Sequence, residues 1–191
     1  YDIDGAKCQT LSHKLTPASS PAELVRACDI VIIAVKPDIV PKLLNDVKAD
    51  ADGTVFISIA AGVTIGSIEA VIGSDKKIIR AMPNTPAMVG EGMSVLSPNA
   101  NVDGAELAHA EEIFSLLGKT LVLPEKLLNA VTALSGSGPA YGFTLIQAMT
   151  DAGVKLGIPR DKALILSAQT LKGAAAMVLE NGEDPISLRG K

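Results

Sequence analysis

The stretch Asp29-Ile30-Val31-Ile32-Ile33-Ala34-Val35-Lys36-Pro37 decides the fold. An unbroken apolar run rich in β-branched residues is what a strand buried on both faces of a parallel sheet requires. Working outward, Thr54-Val55-Phe56-Ile57-Ser58-Ile59 has the same character, and Lys77-Ile78-Ile79-Arg80 is a third strand, ending at Ala81-Met82-Pro83. Met93-Ser94-Val95-Leu96 and Thr120-Leu121-Val122-Leu123 are shorter ones. Helical patterns fill the gaps, near residues 38–50, 64–72 and 103–117. Another covers 21–27, where Ser20 is a good N-cap and Pro21 suits the first helical position. Strands separated by helices imply βαβ units with right-handed crossovers, hence a doubly wound parallel α/β sheet.

After Pro124 the strand patterns stop. One helix runs through Leu128-Asn129-Ala130-Val131, is interrupted at Ser135-Gly136-Ser137-Gly138-Pro139, and resumes from Ala140 toward Val154. A second starts near Pro159 and runs to Leu179, with Asn181-Gly182 as its stop. The expected division is an α/β domain over 1–124 and an all-helical domain over 125–191. Gly173-Ala174-Ala175-Ala176 permits close helix contact, either within the chain or in a dimer, and so thin a helical domain gains by association.

Bulk properties exclude several classes. The 191 residues are 48 % hydrophobic and 20 % charged, with net charge −4. No basic face points to nucleic acid, and no polybasic stretch or long apolar run points to a membrane. Two cysteines, Cys8 and Cys28, without a signal-like start suggest no disulfide framework and a reducing cytoplasm. His13 and His109 are isolated, so no metal site is expected.

Three strand ends carry the candidate chemistry, because the carboxyl ends of parallel strands open onto the ligand crevice. At the first, Pro37 stiffens the turn while Lys36 can approach phosphate or ribose; the plain alternative is an exposed lysine at a βα turn. At the second, Ser58-Ile59-Ala60-Ala61-Gly62-Val63 offers small side chains that let a flat ring such as nicotinamide near the backbone, or that merely ease sheet–helix packing. At the third, Met82-Pro83-Asn84-Thr85-Pro86 fixes Asn84 at a defined point, for a ligand or for a rigid turn. The glycines and serines of residues 135–139 can expose N–H groups to an anion, or be a packing kink.

A dinucleotide-binding sheet has an earlier strand, a G-x-G-x-x-G turn and a helix, and no such fingerprint follows a strand here. The expectation is therefore that some thirty residues precede Tyr1, and that Tyr1-Asp2 is the end of the second strand. Asp2 would then receive the two ribose hydroxyls and repel a 2′-phosphate; alternatively it is a solvated turn carboxylate in Asp-x-Asp-Gly.

Taken in order, Ala34-Val35-Lys36-Pro37, Ser58-Ile59-Ala60-Ala61-Gly62-Val63, Ile79-Arg80-Ala81-Met82-Pro83-Asn84-Thr85-Pro86, Leu134-Ser135-Gly136-Ser137-Gly138-Pro139-Ala140-Tyr141 and the stretch from Asp151 to Arg160 resemble the pyrroline-5-carboxylate reductase family. The resemblance covers essentially the whole chain. It implies a Rossmann domain followed by a helical dimerisation domain, assembly into a homodimer or higher oligomer, and reduction of L-1-pyrroline-5-carboxylate to L-proline with NADPH or NADH. By position it implies Val35, Lys36 and Pro37 at the cofactor, and Ala60, Ala61 and Gly62 near the nicotinamide. Ser19 falls near the adenosine, Met82 and Asn84 at the cofactor with Asn84 also lining the reaction pocket, and Glu125, Ser137 and Gly138 toward the substrate. The family's substrate-carboxylate segment would begin just past Lys191, and Asp184 stands where the family often has histidine.

A protonated cyclic imine is already electrophilic, so the chemistry needs proximity and exclusion of water more than an acid–base pair. Ser135 is a candidate proton source, with water as the alternative, and Asn84 would set the ring face. Competing readings are another NAD(P)-dependent imine or β-hydroxyacid reductase, or a non-catalytic nucleotide-binding dimer. A hydroxyacid enzyme would want a catalytic lysine where this chain has Ser135-Gly136-Ser137-Gly138.

Overall fold

The computed structural model describes residues 1–11 and 13–190. Two compact units divide the chain, Tyr1–Gly136 and Ser137–Lys191.

The first unit is built on five strands in the order β1-β2-β3-β4-β5: β1 Ile30–Ile33, β2 Val55–Ser58, β3 Lys77–Met82, β4 Gly92–Pro98 and β5 Gly118–Val122. Its helices are α1 Gly5–Leu11, α2 Pro21–Ala27, α3 Val40–Val47, α4 Ile65–Ile72, α5 Gly104–Ser115 and the short α6 Leu128–Val131. Their starts follow from capping. The Ser20 hydroxyl accepts the Glu23 N–H before Pro21, and the Thr64 hydroxyl accepts the Ser67 N–H. Asp103 and Glu106 form a reciprocal capping box at α5.

Alternate residues of the central strands feed opposite faces of the sheet. Val31, Ile33, Phe56 and Ile78 pack with Val25, Val40, Leu44, Val47 and Ile68 from α2, α3 and α4. Val55, Ile57, Ile79, Ala81 and Leu96 pack with Ala110 and Phe114 of α5. Both faces are covered, which is why these strands read as continuous apolar runs.

The doubly wound parallel sheet expected from the sequence forms, with one antiparallel pair in it. β1, β2 and β3 are parallel, and so are β4 and β5, but β3 and β4 are antiparallel. The link between β3 and β4 is a single 3-10 turn, Thr85–Val89, too short for the crossover that a parallel pair demands. Nor does Tyr1-Asp2 end a strand: neither residue pairs with the sheet, and α1, unanticipated from the sequence, follows at Gly5.

The first unit also runs past Pro124, beyond the division the sequence suggests. Leu128 and Val131 of α6 bury against Val95, with Met82, Met93 and Leu123 around them, and a π turn follows over Thr132–Gly136. The interruption foreseen at residues 135–139 is this π turn and the start of the next helix.

The second unit holds α7 Gly138–Lys155, α8 Arg160–Asn181 and α9 Pro185–Arg189. α7 and α8 approach closely where Gly153 faces Ala163; a Cβ at Gly153 would lie 3.2 Å from the Ala163 methyl. Arg160 Nη1 is 2.8 Å from Asp151 Oδ1, tying the start of α8 to α7. Buried Thr150 and Ser167 satisfy their hydroxyls on carbonyls one turn back, Ile146 and Ala163. Much apolar surface stays open, including Tyr141, Phe143, Leu145, Ile165, Leu166 and Leu179.

Candidate active site

Register puts the three candidate strand ends on one edge of the sheet, the first two level and β3 running two residues further, to Met82. Ile33 pairs with Ser58, and Ser58 with Arg80, in parallel strands spaced about 4.8 Å apart. The segments 34–37, 59–62 and 83–84 therefore leave the same edge of the sheet side by side.

After β1, the Lys36 carbonyl accepts the Ile39 N–H at 2.9 Å and the Pro37 carbonyl accepts that of Val40 at 3.3 Å. Val35 is half-buried on the first core, while Lys36 and Pro37 are exposed. After β2, the Val63 N–H closes a turn onto the Ala60 carbonyl at 3.3 Å. Gly62 has φ 78°, the left-handed conformation that the third residue of such a turn demands, and nothing lies within 4 Å of where its Cβ would be. Ala60 is buried beneath, and Ala61 and Gly62 are exposed. An open turn of minimal side chains fits the demand of a flat ring lying against backbone.

After β3, Asn84 is committed on both sides of its amide. Its Nδ2 donates to the Ser135 carbonyl at 3.0 Å, and its Oδ1 accepts the Met93 N–H at 2.9 Å. The Ser135 carbonyl needs that donor. In a continuing helix it would bond the N–H four residues on, and that residue is Pro139, which has none. The Ala140 N–H goes instead to the Ser137 carbonyl at 3.0 Å. The Ser135 hydroxyl donates to the Val131 carbonyl at 3.1 Å, so its proton is already engaged. Met82 lies beside this π turn, where a Cβ on Gly136 would come within 2.6 Å of its methyl.

Glu125 stands just after β5, and one of its oxygens serves two donors. Oε1 accepts the Ile65 N–H at 2.8 Å and the Arg80 guanidinium at 3.1 Å. Arg80 had no role in the sequence reading. The available signal was a single charge inside Ile78-Ile79-Arg80-Ala81, since a cation in a buried strand requires a partner.

The remaining candidates are not on these three strand ends. Asp2 turns onto its own neighbourhood, with Oδ1 accepting the Asp4 N–H at 2.9 Å and Oδ2 3.7 Å from Lys7 Nζ. This is the turn-carboxylate geometry, because no strand forms there to aim it. Ser19 gives both its N–H and its hydroxyl to the Glu23 carboxylate, and those bonds hold the Glu23 carboxyl below its ordinary range. Ser137 and Gly138 belong to the second unit, at the start of α7. Among the described residues no group of three His, Cys, Asp or Glu side chains is placed to hold a metal ion.

Comparison with known proteins bears on both units. Residues 125–191 match the family model for pyrroline-5-carboxylate reductase dimerisation, and residues 5–62 match that for NADP oxidoreductase, coenzyme F420-dependent. The chain is 43 % identical over 176 residues to the pyrroline-5-carboxylate reductase of Escherichia coli K12, covering 92 % of this chain and 65 % of that protein. Among solved structures it is similar to the Coxiella burnetii pyrroline-5-carboxylate reductase, with TM-score 0.91, 33 % identity, and coverage of 99 % of this chain and 71 % of that one. The Plasmodium falciparum pyrroline carboxylate reductase with NADP bound has TM-score 0.83 and 40 % identity, covering 91 % and 66 % respectively. The chain thus spans slightly under two thirds of the length of the first curated relatives it matches.

Proposed function

This chain belongs to the pyrroline-5-carboxylate reductase family, and from that membership we propose that the protein reduces L-1-pyrroline-5-carboxylate to L-proline with NADPH or NADH. The observation that carries the reading is the exit of three strand ends from one edge of the sheet with the bare Ala61-Gly62 turn among them.

In this reading Val35, Lys36 and Pro37 meet the cofactor from β1. Ala60, Ala61 and Gly62 receive the nicotinamide from β2, and Met82 and Asn84 close the pocket from β3. Ser19 lies toward the adenosine, while Asp2, turned onto Asp4 and Lys7, takes the turn-carboxylate role rather than the ribose one. Glu125, Ser137 and Gly138 lie toward the substrate. When bound, a reduced nicotinamide supplies the hydride. The chain's own residues supply orientation: small side chains let the ring lie flat, and Asn84 braces the pocket by holding the Ser135 carbonyl. Because the Ser135 hydroxyl proton is held by Val131, the proton for the product nitrogen comes from water.

We further propose that the chain assembles as a homodimer or higher homo-oligomer through its helical unit. The exposed apolar faces of α7 and α8 support this, as does the match of residues 125–191 to a dimerisation family. α8 is long and apolar enough to cross a membrane by length and composition alone. Within a family of this kind, association with a second copy is the simpler use of that surface. The free cysteines Cys8 and Cys28 suit a reducing, cytoplasmic setting.

Spectrophotometry tests the reading. Full-length protein should oxidise NADPH or NADH only when L-1-pyrroline-5-carboxylate is supplied, with L-proline as product. Absence of substrate-dependent oxidation with either cofactor overturns it.

A further inference from the structure

We propose that Arg80 is a positioning residue for the Ala60–Gly62 turn, acting through Glu125; its consequence for hydride transfer rests on the reading that this turn receives the nicotinamide. The Arg80 side chain is only 6 % exposed, in the middle of a strand whose neighbours are apolar. A cation so placed needs a partner, and its partner is Glu125 Oε1 at 3.1 Å. The same oxygen accepts the N–H of Ile65 at 2.8 Å. Ile65 is the first residue of α4, where backbone donors lack helical partners. Thr64 takes the Ser67 N–H, and Glu125 takes that of Ile65.

The turn is therefore anchored at both ends by groups that converge on one ion pair. Before it, Ser58 is fixed beside Arg80 by the β2–β3 ladder. After it, Ile65 is fixed by the carboxylate that Arg80 holds. The Glu125 side chain is 30 % exposed, so without the guanidinium it would be drawn to water and Ile65 would lose its acceptor. Residues 59–64 would then be anchored on the β2 side alone.

The test uses full-length protein and two variants, Arg80→Met, which keeps the length without the charge, and Arg80→Lys, which keeps a cationic donor. Amide hydrogen exchange at Ile65 should quicken by about tenfold or more in Arg80→Met and return toward the parent rate in Arg80→Lys. In the same pair kcat should fall by about tenfold and be partly restored, while the dissociation constant of adenosine 2′,5′-bisphosphate, a probe of the adenine half, stays unchanged. An unchanged Ile65 exchange rate in Arg80→Met overturns the proposal, and so does a parallel loss of kcat and adenine-half affinity in both variants. If Arg80→Met does not fold, Glu125→Ala, which removes the shared acceptor, should quicken Ile65 exchange by the same order, and an unchanged rate there overturns the proposal. If unsubstituted protein shows no reductase activity, the functional reading fails on its own, and Ile65 exchange still decides whether Arg80 holds the turn.

Discussion

Asn84 and Ser135, fifty-one positions apart, are joined by a hydrogen bond of 3.0 Å from the Asn84 amide nitrogen to the Ser135 carbonyl. The bond supplies a donor that Pro139 cannot, and so it stabilises the π turn over Thr132–Gly136. Replacing Asn84 with Ala also leaves the Met93 N–H without its acceptor. Asn84→Ala should cost about 1–3 kcal/mol, read as a lower denaturant midpoint with an unchanged slope. A midpoint equal to that of the parent would show that water replaces both bonds.

Ser135 itself is a sharper test of the chemistry. Its hydroxyl donates to Val131, so Ser135→Ala should leave kcat within about threefold of the parent in full-length protein. Removal of a true general acid would typically cost on the order of 10²–10⁴. A loss in that upper range would restore the hydroxyl as proton donor.

Gly118 crosses β4 at backbone distance. It has φ 140°, and a Cβ there would lie 2.1 Å from the Gly92 carbonyl oxygen. Gly118→Ala should therefore destabilise by about 3 kcal/mol or more, through backbone strain and a clash that no side chain can relieve. Gly66, exposed within α4, has nothing within 4 Å of a new methyl, and Gly66→Ala should raise the melting temperature through a gain of about 0.5–1 kcal/mol. Thermal scans of the two variants should move in opposite directions.

Lys77 of β3 donates to the Glu106 carboxylate of α5, and that bond raises the lysine above its ordinary value. A raised lysine contributes stability that is fully present below its unfolded value of about 10.4 and is lost as pH climbs through the folded one. The melting-temperature gap between parent and Lys77→Met should stay constant between about pH 6 and 9 and close only in the alkaline range beyond the unfolded value. A gap that changes between about pH 6 and 9 overturns this expectation.

Most elements of the α/β half were legible along the chain because their signals are local. Ser20-Pro21, Thr64 and the Asp103/Glu106 box mark helix starts, and β-branched runs mark strands covered on both faces. The direction of β4 was not legible from the apolar pattern, which is the same for either direction. The shortness of the link over residues 85–89 is what decides it. The α6 packing on β4 was also missed, since Leu128 and Val131 follow a helical pattern whichever unit they join.

The site divides in the same way. Lys36, Ala61, Gly62 and Asn84 could be picked out as strand-end residues from chain order alone, because parallel strands put their following segments on one edge. What those side chains bond to required the tertiary structure. Asn84 spends its amide on Ser135 and Met93, Glu125 turns to Arg80 and Ile65, and Asp2 folds back on Asp4. Periodicity and capping are written within a few residues, whereas a hydrogen-bond partner forty-five or sixty positions away is chosen only when the sheet brings both groups together.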